Sequence, residues 1–413
     1  MMSTKTDHYD VILAGGGIVG TALALALRKS LNGRLRVAVI DPQSVSKDSD
    51  RAFALSRGSC RMLEMLGVWN AIAPDAQPIN EMIITDSRVS DPVRPVFLTF
   101  DKPKNSDEPF AYMIREQAII AALTPAAEKA GVEFLNHRVT RVVDQPDFIE
   151  ARCDDGVTRR ASLLVACDGA KSPIRNEAGI SWITWAYRQS GIVATIGHEE
   201  PHHGRAEEHF LPSGPFAILP LKGNRSSIVW TEETDRANSL VARSEFEILD
   251  EIERRFGLHL GQIKLLTKPR AYPLGFGIAR EFGKGRLALA GDAAHLIHPI
   301  AGQGLNLGLR DAAALAEAIV DSVSLGLEAG SAGVIEAYDH ARRADTVAMG
   351  AVTDVLNRLF ANDVMPIRLL RDFGLGLVNR MPSLKERLIE DAAANRPNLP
   401  RLIRGEPLAG MAA

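Results

Sequence analysis

The stretch YDVILAGGGIVG, residues 9–20, decides the fold of this chain. Its first half, residues 9–14, is a short apolar run rich in β-forming residues, which is typical of a buried strand. The glycines end that run, and TALALALR at 21–28 predicts a helix. A second apolar run, RLRVAVI at 34–40, predicts another buried strand. A strand, a turn, a helix and a strand within about thirty residues form a unit that builds parallel sheets.

The glycines of this turn have the spacing GxGxxG. Gly15 permits the tight turn, Gly17 lets the backbone approach a pyrophosphate, and Gly20 allows the helix to pack closely on the strand. The helix N-terminus then faces the phosphate charge. Asp41 follows the second strand, where a carboxylate can accept hydrogen bonds from ribose hydroxyls. The combination predicts a dinucleotide site, although the glycines alone suit a plain turn and Asp41 alone suits a strand end before Pro42.

A second candidate piece of the same site follows another buried run. SLLVA at 162–166 predicts a strand, and Asp168 and Gly169 come almost directly after it. An Asp-Gly pair by itself usually marks only a turn. Its interpretation as part of a site therefore depends on the other two pieces.

The third piece is the most specific segment of the chain. RLALA at 286–290 predicts a strand, GDAAH follows at 291–295, and PIAGQGLN at 299–306 leads into a helix. The carboxylate of Asp292 can bind sugar hydroxyls at the strand end. The free N–H groups and positive dipole of the helix N-terminus suit the electron-rich edge of a reduced flavin ring.

The rest of the sequence predicts a second, interleaved lobe. A chain of 413 residues exceeds the ~250–300 at which one hydrophobic core stops growing. Prolines with short β-forming runs at 75–110, and further runs at 192–231, predict a second sheet. The sequence from Leu305 onward predicts helices, broken at Pro366 and Pro382.

The predicted fold class is α/β: a doubly wound, Rossmann-like FAD-binding domain interleaved with a mixed-sheet substrate domain, with a helical C-terminus. The predicted division assigns residues 1–74, 111–180 and 276–340 to the FAD-binding domain, 75–110 and 181–275 to the substrate domain, and 341–413 to the C-terminal helices.

Composition and charge exclude several classes of protein. The 48 basic and 51 acidic side chains give a net charge of −3, so no basic excess indicates nucleic-acid binding. Cys60, Cys153 and Cys167 are widely spaced, which favours a reducing cytosol over a disulfide framework or a zinc site. The polar start at 1–9 lacks the apolar core of a signal peptide, and no long uncharged apolar stretch predicts a transmembrane helix. We therefore expect a cytoplasmic protein.

Together these motifs resemble the class A flavoprotein monooxygenases, which share a fold with para-hydroxybenzoate hydroxylase. Within that class the chain most resembles the ubiquinone-biosynthesis hydroxylase family. The resemblance runs from about Tyr9 to Lys385. It includes DRAFALS at 50–56, which is similar to the family's DxRxxALS, GPFAILPL at 214–221, and the segment 291–306.

The resemblance implies roles for the matching residues of the first half. Gly15, Gly17 and Gly20 would hold the FAD pyrophosphate. Asp41 would bind the adenosine ribose, at a place where the family usually has Glu.

Four further residues would contact different parts of the cofactors. By resemblance, Arg51 would lie along the FAD and Arg115 would approach the ribityl–phosphate region. Asp168 lies in a motif that serves both FAD and the nicotinamide cofactor, and Asp292 would bind the ribityl chain.

The last group surrounds the flavin ring. By resemblance, Gly302, Gln303 and Gly304 would meet the ring edge, and Asn306 completes the cofactor contacts. Pro299, together with Gln303, would lie beside the oxygen adduct of the flavin, which makes these two the catalytic candidates.

The activity implied by the resemblance is hydroxylation of the aromatic ring of a polyprenylated phenol in ubiquinone biosynthesis. NADPH or NADH would reduce FAD, O2 would form a flavin hydroperoxide, and a deprotonated phenol would attack its distal oxygen. No motif identifies the base that removes the phenol proton, so that residue stays open.

Other activities share these motifs. A hydroxylase of another small phenol and a flavin reductase of prenyl lipids both stay open. A non-enzymatic carrier of prenylated cargo would need no flavin-ring contacts, so the intact segment 291–306 disfavours it. Flavin halogenases carry WxWxIP, which the spacing of Trp182 and Trp185 does not match.

Two groups of histidines have a plain alternative to function. His198, His202, His203 and His209 lie among glutamates, but solvated loop residues explain them as well, and no metal site is predicted. His295 and His298 flank the flavin segment, where contact with flavin or substrate and simple packing stay equally open.

A helical apolar pattern near the C-terminus has two interpretations. It comprises Val352, Val355, Leu356, Leu359 and Phe360. It predicts either a helix packed on the FAD-binding lobe or on another subunit of a homo-oligomer, or a peripheral contact with the inner membrane. The second interpretation is aided by nearby basic residues, namely Arg358, Arg368 and Arg371. It follows from the lipid-like substrate that the family implies, as does a complex with other ubiquinone-biosynthesis proteins.

Overall fold

A computed structural model describes residues 8–42, 51–86, 88–89, 96–101, 108–109, 111–257, 259–299, 302–360 and 398–411. The strands, in chain order, are β1 (His8–Ala14), β2 (Val37–Ile40), β3 (Ala52–Ser56), β4 (Gln77–Ile79), β5 (Glu81–Asp86), β6 (Val96–Asp101), β7 (Ala111–Arg115), β8 (Glu133–Leu135), β9 (Val139–Asp144), β10 (Ile149–Cys153), β11 (Thr158–Ala166), β12 (Trp182–His198), β13 (Arg205–Leu211), β14 (Gly214–Leu221), β15 (Arg225–Glu233), β16 (Ile263–Leu265), β17 (Arg270–Ala279), β18 (Gly283–Lys284), β19 (Leu287–Leu289) and β20 (His295–Leu296).

The helices are α1 (Ile18–Lys29), α2 (Arg57–Met65), α3 (Trp69–Ile72), α4 (Glu116–Lys129), α5 (Pro173–Glu177), α6 (Thr234–Val241), α7 (Glu245–Phe256), α8 (Gln303–Ser324), α9 (Ala332–Phe360) and α10 (Arg401–Arg404). The predicted helix at 21–28 thus begins earlier, at the glycine turn, and the predicted strand at 34–40 begins later. The predicted breaks at Pro366 and Pro382 lie outside the described residues. No helix in the described ranges is long and apolar enough to cross a membrane.

The first sheet has the order β18-β19-β11-β1-β2-β8, with β10 and β9 continuing antiparallel from β11. Strands β1, β2, β8, β11 and β19 run parallel. In the register, Ala14 is opposite both Ala166 and Ile40, and Ala166 is opposite Leu289. The carboxyl ends of the three predicted strands therefore meet at one edge. The Rossmann-like, α/β fold is confirmed.

Helices α1 and α8 pack against each other beside this sheet. Residues 20–27 of α1 are all buried, because alanines and leucines fill that part of the helix. Its basic residues, Arg28 and Lys29, lie in the last turn, where positive charge stabilises the helix dipole.

The second sheet has the order β20-β17-β12-β15-β14-β13-β5-β6, with β16 beside β12. One face, called the outer face here, packs on α6 and α7; its apolar residues include Leu211, Phe216 and Trp230. The opposite face, called the inner face, includes Ala206 and Leu221. It packs on a small sheet with the order β3-β7-β4, which separates it from the first sheet.

The second sheet draws on more of the chain than the predicted substrate domain. Strand β17 continues past residue 275 to Ala279, and β20 lies within the predicted range 276–340. Strand β12 has a bulge between Ala186 and Ser190, where Arg188 has φ +57°. The boundary at 275 thus cuts through one continuous strand.

Candidate active site

The glycine turn lies at the carboxyl edge of the first sheet and is fixed by contacts within the protein. Gly15 has φ +117°, a region that suits glycine, and its N–H donates to Ile40 O at 2.9 Å. A Cβ atom on Gly15 would lie 2.3 Å from Cys167 O, and one on Gly20 would lie 2.2 Å from Gly15 O. These two positions require glycine because β11 and α1 approach so closely.

Gly17 differs from its neighbours because a Cβ atom there would meet no protein atom within 4 Å. It is the N-cap residue of α1, and no side chain caps the first turn. The free N–H groups and the open space at this helix end are what a pyrophosphate needs. The glycine turn therefore fits the phosphates of FAD.

Asp41 holds the turn as well as lying beside it. Its Oδ2 accepts a hydrogen bond from the Gly16 N–H at 2.5 Å. Part of the carboxylate thus fixes the loop that was predicted to bind phosphate, in addition to the ribose contact expected from the sequence.

Asp168 lies after β11 at the same edge. Burial raises the pKa of its carboxyl, against hydrogen bonds from Ser172 and from backbone N–H groups. Its Oδ2 lies 3.4 Å from the Ile174 N–H, while the buried Oδ1 has no hydrogen-bond partner among the described residues. A buried acceptor without a partner is costly, which is consistent with a ligand that donates to it.

Arg175 joins this second piece to the third. Its guanidinium donates to Ala293 O and to Ala170 O, both at 3.0 Å. It also lies over the Trp182 ring, 3.8 Å from the centroid. Arg175 therefore fixes the turn that carries Asp292 relative to the turn that carries Asp168.

Asp292 lies in the short 3-10 turn Gly291–Ala293 that follows β19. Its side chain is exposed to solvent, although protein surrounds the carboxyl on most sides and raises its pKa. The positive charges of His295 and Arg51 oppose that increase. Arg51, which directly precedes β3, is thus brought near Asp292, where it also pairs with Glu116 at 3.7 Å.

Arg115 is more distant from the turns. It ends β7 opposite Ala52, and its guanidinium donates to Asp75 Oδ1 at 3.0 Å. About half of its side chain is exposed. The structure therefore places it near the start of β3, beside Arg51, and engages it with an acidic partner.

The third piece forms the N-terminus of α8. Gly302 has φ +62°, and its N–H donates to Pro299 O at 2.9 Å. Pro299 is exposed and Gln303 is buried, while a Cβ atom on Gly304 would meet nothing within 4 Å. As at Gly17, a glycine with open space around it lies at an uncapped helix end, which is suited to an electron-rich ring edge.

Asn306 has a different role from the predicted cofactor contact. Its Nδ2 donates to Ala54 O and Gly302 O, at 2.8 and 3.1 Å. Its Oδ1 accepts from the Ser56 N–H and the Ser59 hydroxyl, at 2.9 and 2.7 Å. Because protein groups occupy the whole amide, we assign Asn306 to holding β3 against α8.

A buried charge network that the sequence analysis missed anchors the third piece. Asp311 of α8 has no exposed surface; its Oδ2 is 2.6 Å from His295 Nε2 and accepts the Gly291 N–H at 3.0 Å. Arg342 Nε donates to Asp311 Oδ1 at 2.8 Å. Burial would raise the pKa of Asp311, but His295 and Arg342 hold it below its usual value. His295 is thus a packed histidine that supports the turn.

His298 is also buried, and burial lowers its pKa to about 4, so it is neutral near pH 7. Its ring meets the Tyr187 ring edge-on at 5.2 Å. Tyr187 Oη and Trp185 Nε1 donate to Asp354 Oδ1, at 2.9 and 3.1 Å. These contacts tie α9 to β12 beside the Pro299 turn.

The first predicted group of histidines, at 198–209, lies on the outer face of the second sheet and in the loop beside it. His202, His203 and His259 line a cavity of about 290 Å³ together with Glu207. Both nitrogens of His202 are engaged, with Leu221 O at 2.8 Å and with the Gly204 N–H at 3.0 Å. The described residues contain no group of three or more side chains arranged to hold a metal ion.

Comparisons with known proteins agree with this geometry. Residues 8–353 match the family model of the FAD binding domain. Ubiquinone hydroxylase UbiL of Rhodospirillum rubrum is 40% identical over 406 residues, which cover 97% of this chain and 93% of that protein. Human ubiquinone biosynthesis monooxygenase COQ6, mitochondrial, is 30% identical, covering 93% and 92%.

Among solved structures, p-nitrophenol 4-monooxygenase PnpA from Pseudomonas putida DLL-E4 shares the fold. The TM-score is 0.77, with 22% identity over 95% of this chain and all of that one. The match to the FAD-binding model includes all three turns of the site, and the two relatives align with 97% and 93% of the chain. The chain therefore belongs to the family of FAD-dependent monooxygenases that includes the ubiquinone-biosynthesis hydroxylases.

Proposed function

We propose that the protein hydroxylates the aromatic ring of a polyprenylated phenol in ubiquinone biosynthesis, using FAD, NADPH or NADH, and O2. The observation that carries the proposal is the meeting of three turns at one edge of the first sheet, next to the small sheet on which the inner face of the second sheet packs. Of two relatives that align over more than nine-tenths of their length, one is named a ubiquinone hydroxylase and the other a ubiquinone biosynthesis monooxygenase.

The residues at the sheet edge would hold FAD. The turn containing Gly15, Gly17 and Gly20 would bind the pyrophosphate, and Asp41 the ribose. The other cofactor contacts that we propose are Arg51, Arg115, Asp168, Asp292, Gly302 and Gly304. When bound, FAD supplies the capacity to take electrons from NAD(P)H and to activate O2.

The protein's own contribution is to orient the ring and to keep water away from it. The N-terminus of α8 directs N–H groups and a positive dipole at one ring edge. Pro299 and Gln303 would flank the reacting face of the ring. The inner face of the second sheet would cover the substrate and exclude water. Activated oxygen would then react with the substrate and would not be released as hydrogen peroxide.

The test is NAD(P)H oxidation by the FAD-loaded protein with a short-chain prenylphenol, measuring hydroxylated product and hydrogen peroxide separately. Coupled product formation supports the proposal, and the product identifies the ring position. Peroxide without product from any prenylphenol would favour a hydroxylase of another small phenol. Reduction of prenyl double bonds without O2 would identify a prenyl-lipid reductase instead.

Replacing Asp292 by alanine is expected to weaken FAD binding roughly ten- to hundredfold. The change removes a charged acceptor whose hydrogen bonds contribute about 1.5–3 kcal/mol. Flavin fluorescence after gel filtration measures the retained FAD. Asp147→Ala, at an exposed bend far along the sequence from the site, is the matched control. Full FAD retention and normal activity in Asp292→Ala would refute the assigned role.

We also propose a peripheral membrane contact through α9. Val347, Val352 and Val355 expose 48%, 54% and 60% of their surfaces, and Arg358 lies next to them along the helix. The side chains of Leu356, Leu359 and Phe360, and the predicted Arg368 and Arg371, lie outside what the structure describes. Co-sedimentation with anionic liposomes is expected, and Val352→Ser with Val355→Ser should reduce it. Equal sedimentation with and without liposomes would leave packing on a second subunit or on another biosynthetic protein as the alternative.

A further inference from the structure

The inner face of the second sheet carries two buried carboxylates, Asp86 of β5 and Glu208 of β13, and Glu208 lies nearer the contact with the small sheet. In the register of β13, Glu208 lies opposite Ile84 of β5 and Ala217 of β14. Ala206, which shares its face, belongs to an apolar cluster with Met113 and Leu221, and Ala52 and Ala54 of the small sheet pack against this cluster. Because side chains alternate along a strand, Glu208 is directed to the same side as Ala206, about 7 Å further along β13.

That side leads to the turn predicted to meet the flavin ring. Ala54 lies next to Gly302, where a Cβ atom would be 3.3 Å from the Ala54 Cβ. The Ala54 carbonyl also accepts from Asn306, so β3 is held against the start of α8. Glu208 therefore lies on the inner face two residues along β13 from Ala206, next to the residues through which that face packs on β3.

Glu208 is only 5% exposed. No described residue donates a hydrogen bond to its carboxylate or forms an ion pair with it. Burial alone raises the pKa of Glu208 to about 7. The adjacent Glu207 is directed to the outer face; despite its own burial, His209 and His259 lower its pKa to about 2. Two neighbouring carboxyls with such different environments indicate different roles.

We propose that the Glu208 carboxylate is the base that removes the hydroxyl proton of the phenol substrate. This inference rests on the proposed function. The phenol O–H bond breaks, its proton passes to a Glu208 oxygen, and the electron pair stays on the phenol oxygen. The ring carbons ortho and para to that oxygen become more nucleophilic toward the activated oxygen derived from O2 and NAD(P)H. One oxygen atom of O2 is transferred to the ring carbon and the other leaves as water, with NAD(P)H supplying the two electrons. The ring carbon then loses its proton as the ring becomes aromatic again, and Glu208 returns its own proton to solvent.

The surroundings of Glu208 favour this role. Asp86 of β5, opposite Phe210, is the nearest other titratable residue that the described register places on the same face. A second negative charge there would raise the proton affinity of Glu208 further. The facing small sheet presents apolar residues at its contact, namely Ala52, Ala54, Ala111 and Met113, and β14 presents Ala217 and Leu219.

The experiment compares Glu208→Gln with Glu207→Gln, the same change on the opposite face of the same strand. With a short-chain prenylphenol at pH 7, Glu208→Gln should form product roughly a hundredfold more slowly. It should retain FAD and keep oxidising NAD(P)H, releasing peroxide. Glu207→Gln should form product at close to the wild-type rate.

Two further measurements separate a base from a structural residue. Product formation by the wild type should fall as the pH decreases through about 7, whereas the rate of Glu208→Gln should not change in this pH range. The Glu208→Gln change should slow product formation less with a fluorinated, more acidic prenylphenol than with the unsubstituted one. Glu208→Asp should keep part of the activity and the pH step.

The infrared spectrum of the protein gives a readout independent of turnover. The wild type should show the carbonyl band of a protonated carboxyl group that disappears as the pH rises through about 7, and Glu208→Gln should lack this band. Unchanged product formation in Glu208→Gln, equal loss in both glutamine variants, or loss of FAD would overturn the inference. Hydroxylation of a simple phenol but of no prenylphenol, lost in Glu208→Gln and kept in Glu207→Gln, would instead overturn the proposed function and leave this inference standing.

Discussion

Asp311→Ala is expected to lower the free energy of unfolding by about 3–5 kcal/mol and to abolish stable FAD binding. Asp311 has no exposed surface and balances the charge of Arg342, which is also buried. Its removal takes away the fully buried one of the two carboxylate partners of that guanidinium, and only the partly exposed Asp345 remains, at 2.6 Å. It also removes an acceptor from the Gly291 N–H and from His295, so the turn that carries Asp292 loses its support.

Chemical denaturation of the FAD-free protein measures this effect apart from cofactor binding. Asp250→Ala is the control, since Asp250 pairs with Arg254 at the surface, where an ion pair contributes no more than about 1 kcal/mol. A loss in Asp311→Ala no larger than in the control would contradict the role of the network.

The stabilising effect of Asp311 is expected to depend on pH. The folded-state pKa of Asp311 lies below its usual value of about 3.9, so its stabilising effect is present above that value. The effect is lost as the pH falls through the lower, folded-state pKa. The difference in unfolding free energy between wild type and Asp311→Ala should therefore be constant from pH 5 to 7 and should shrink in acid, below about pH 4.

Local patterns were sufficient to predict the three turns and their meeting. The runs before Gly15, Asp168 and Asp292 are apolar and short, which predicts buried parallel strands, and parallel strands align their carboxyl ends. That rule alone brings together residues 277 positions apart in sequence, from Gly15 to Asp292. The register confirms the alignment, at Ala14 with Ala166 and at Ala166 with Leu289.

Contacts between distant side chains could not be predicted in this way. Asp311 and Arg342 lie on different helices, and neither belongs to a motif. The sequence pattern suggested Asn306 as a cofactor contact because it ends a glycine-rich segment, but its partners in β3 lie about 250 residues earlier. Glu208 carries no sequence mark either, since only the pairing of β13 shows which of two adjacent glutamates is directed inward.

Gly17→Ala and Gly20→Ala are expected to separate cofactor space from protein packing within one turn. At Gly20 a Cβ atom would lie 2.2 Å from Gly15 O, so the turn must shift. Overpacking of this kind costs about 1–3 kcal/mol, and the displaced turn should lose FAD as well. Stability and FAD binding should therefore fall together in Gly20→Ala.

At Gly17 the added methyl group meets no protein atom within 4 Å, and φ of −67° suits alanine. Unfolding of the FAD-free Gly17→Ala protein should thus change by less than about 1 kcal/mol, the scale of an N-cap substitution. FAD titration should nevertheless show binding weakened by roughly tenfold or more, about 1.4 kcal/mol, because the methyl group occupies the space that the pyrophosphate needs. Undiminished FAD affinity in Gly17→Ala would mean that the open space beside α1 is not where the phosphates lie, and the assignment of this turn would have to be abandoned.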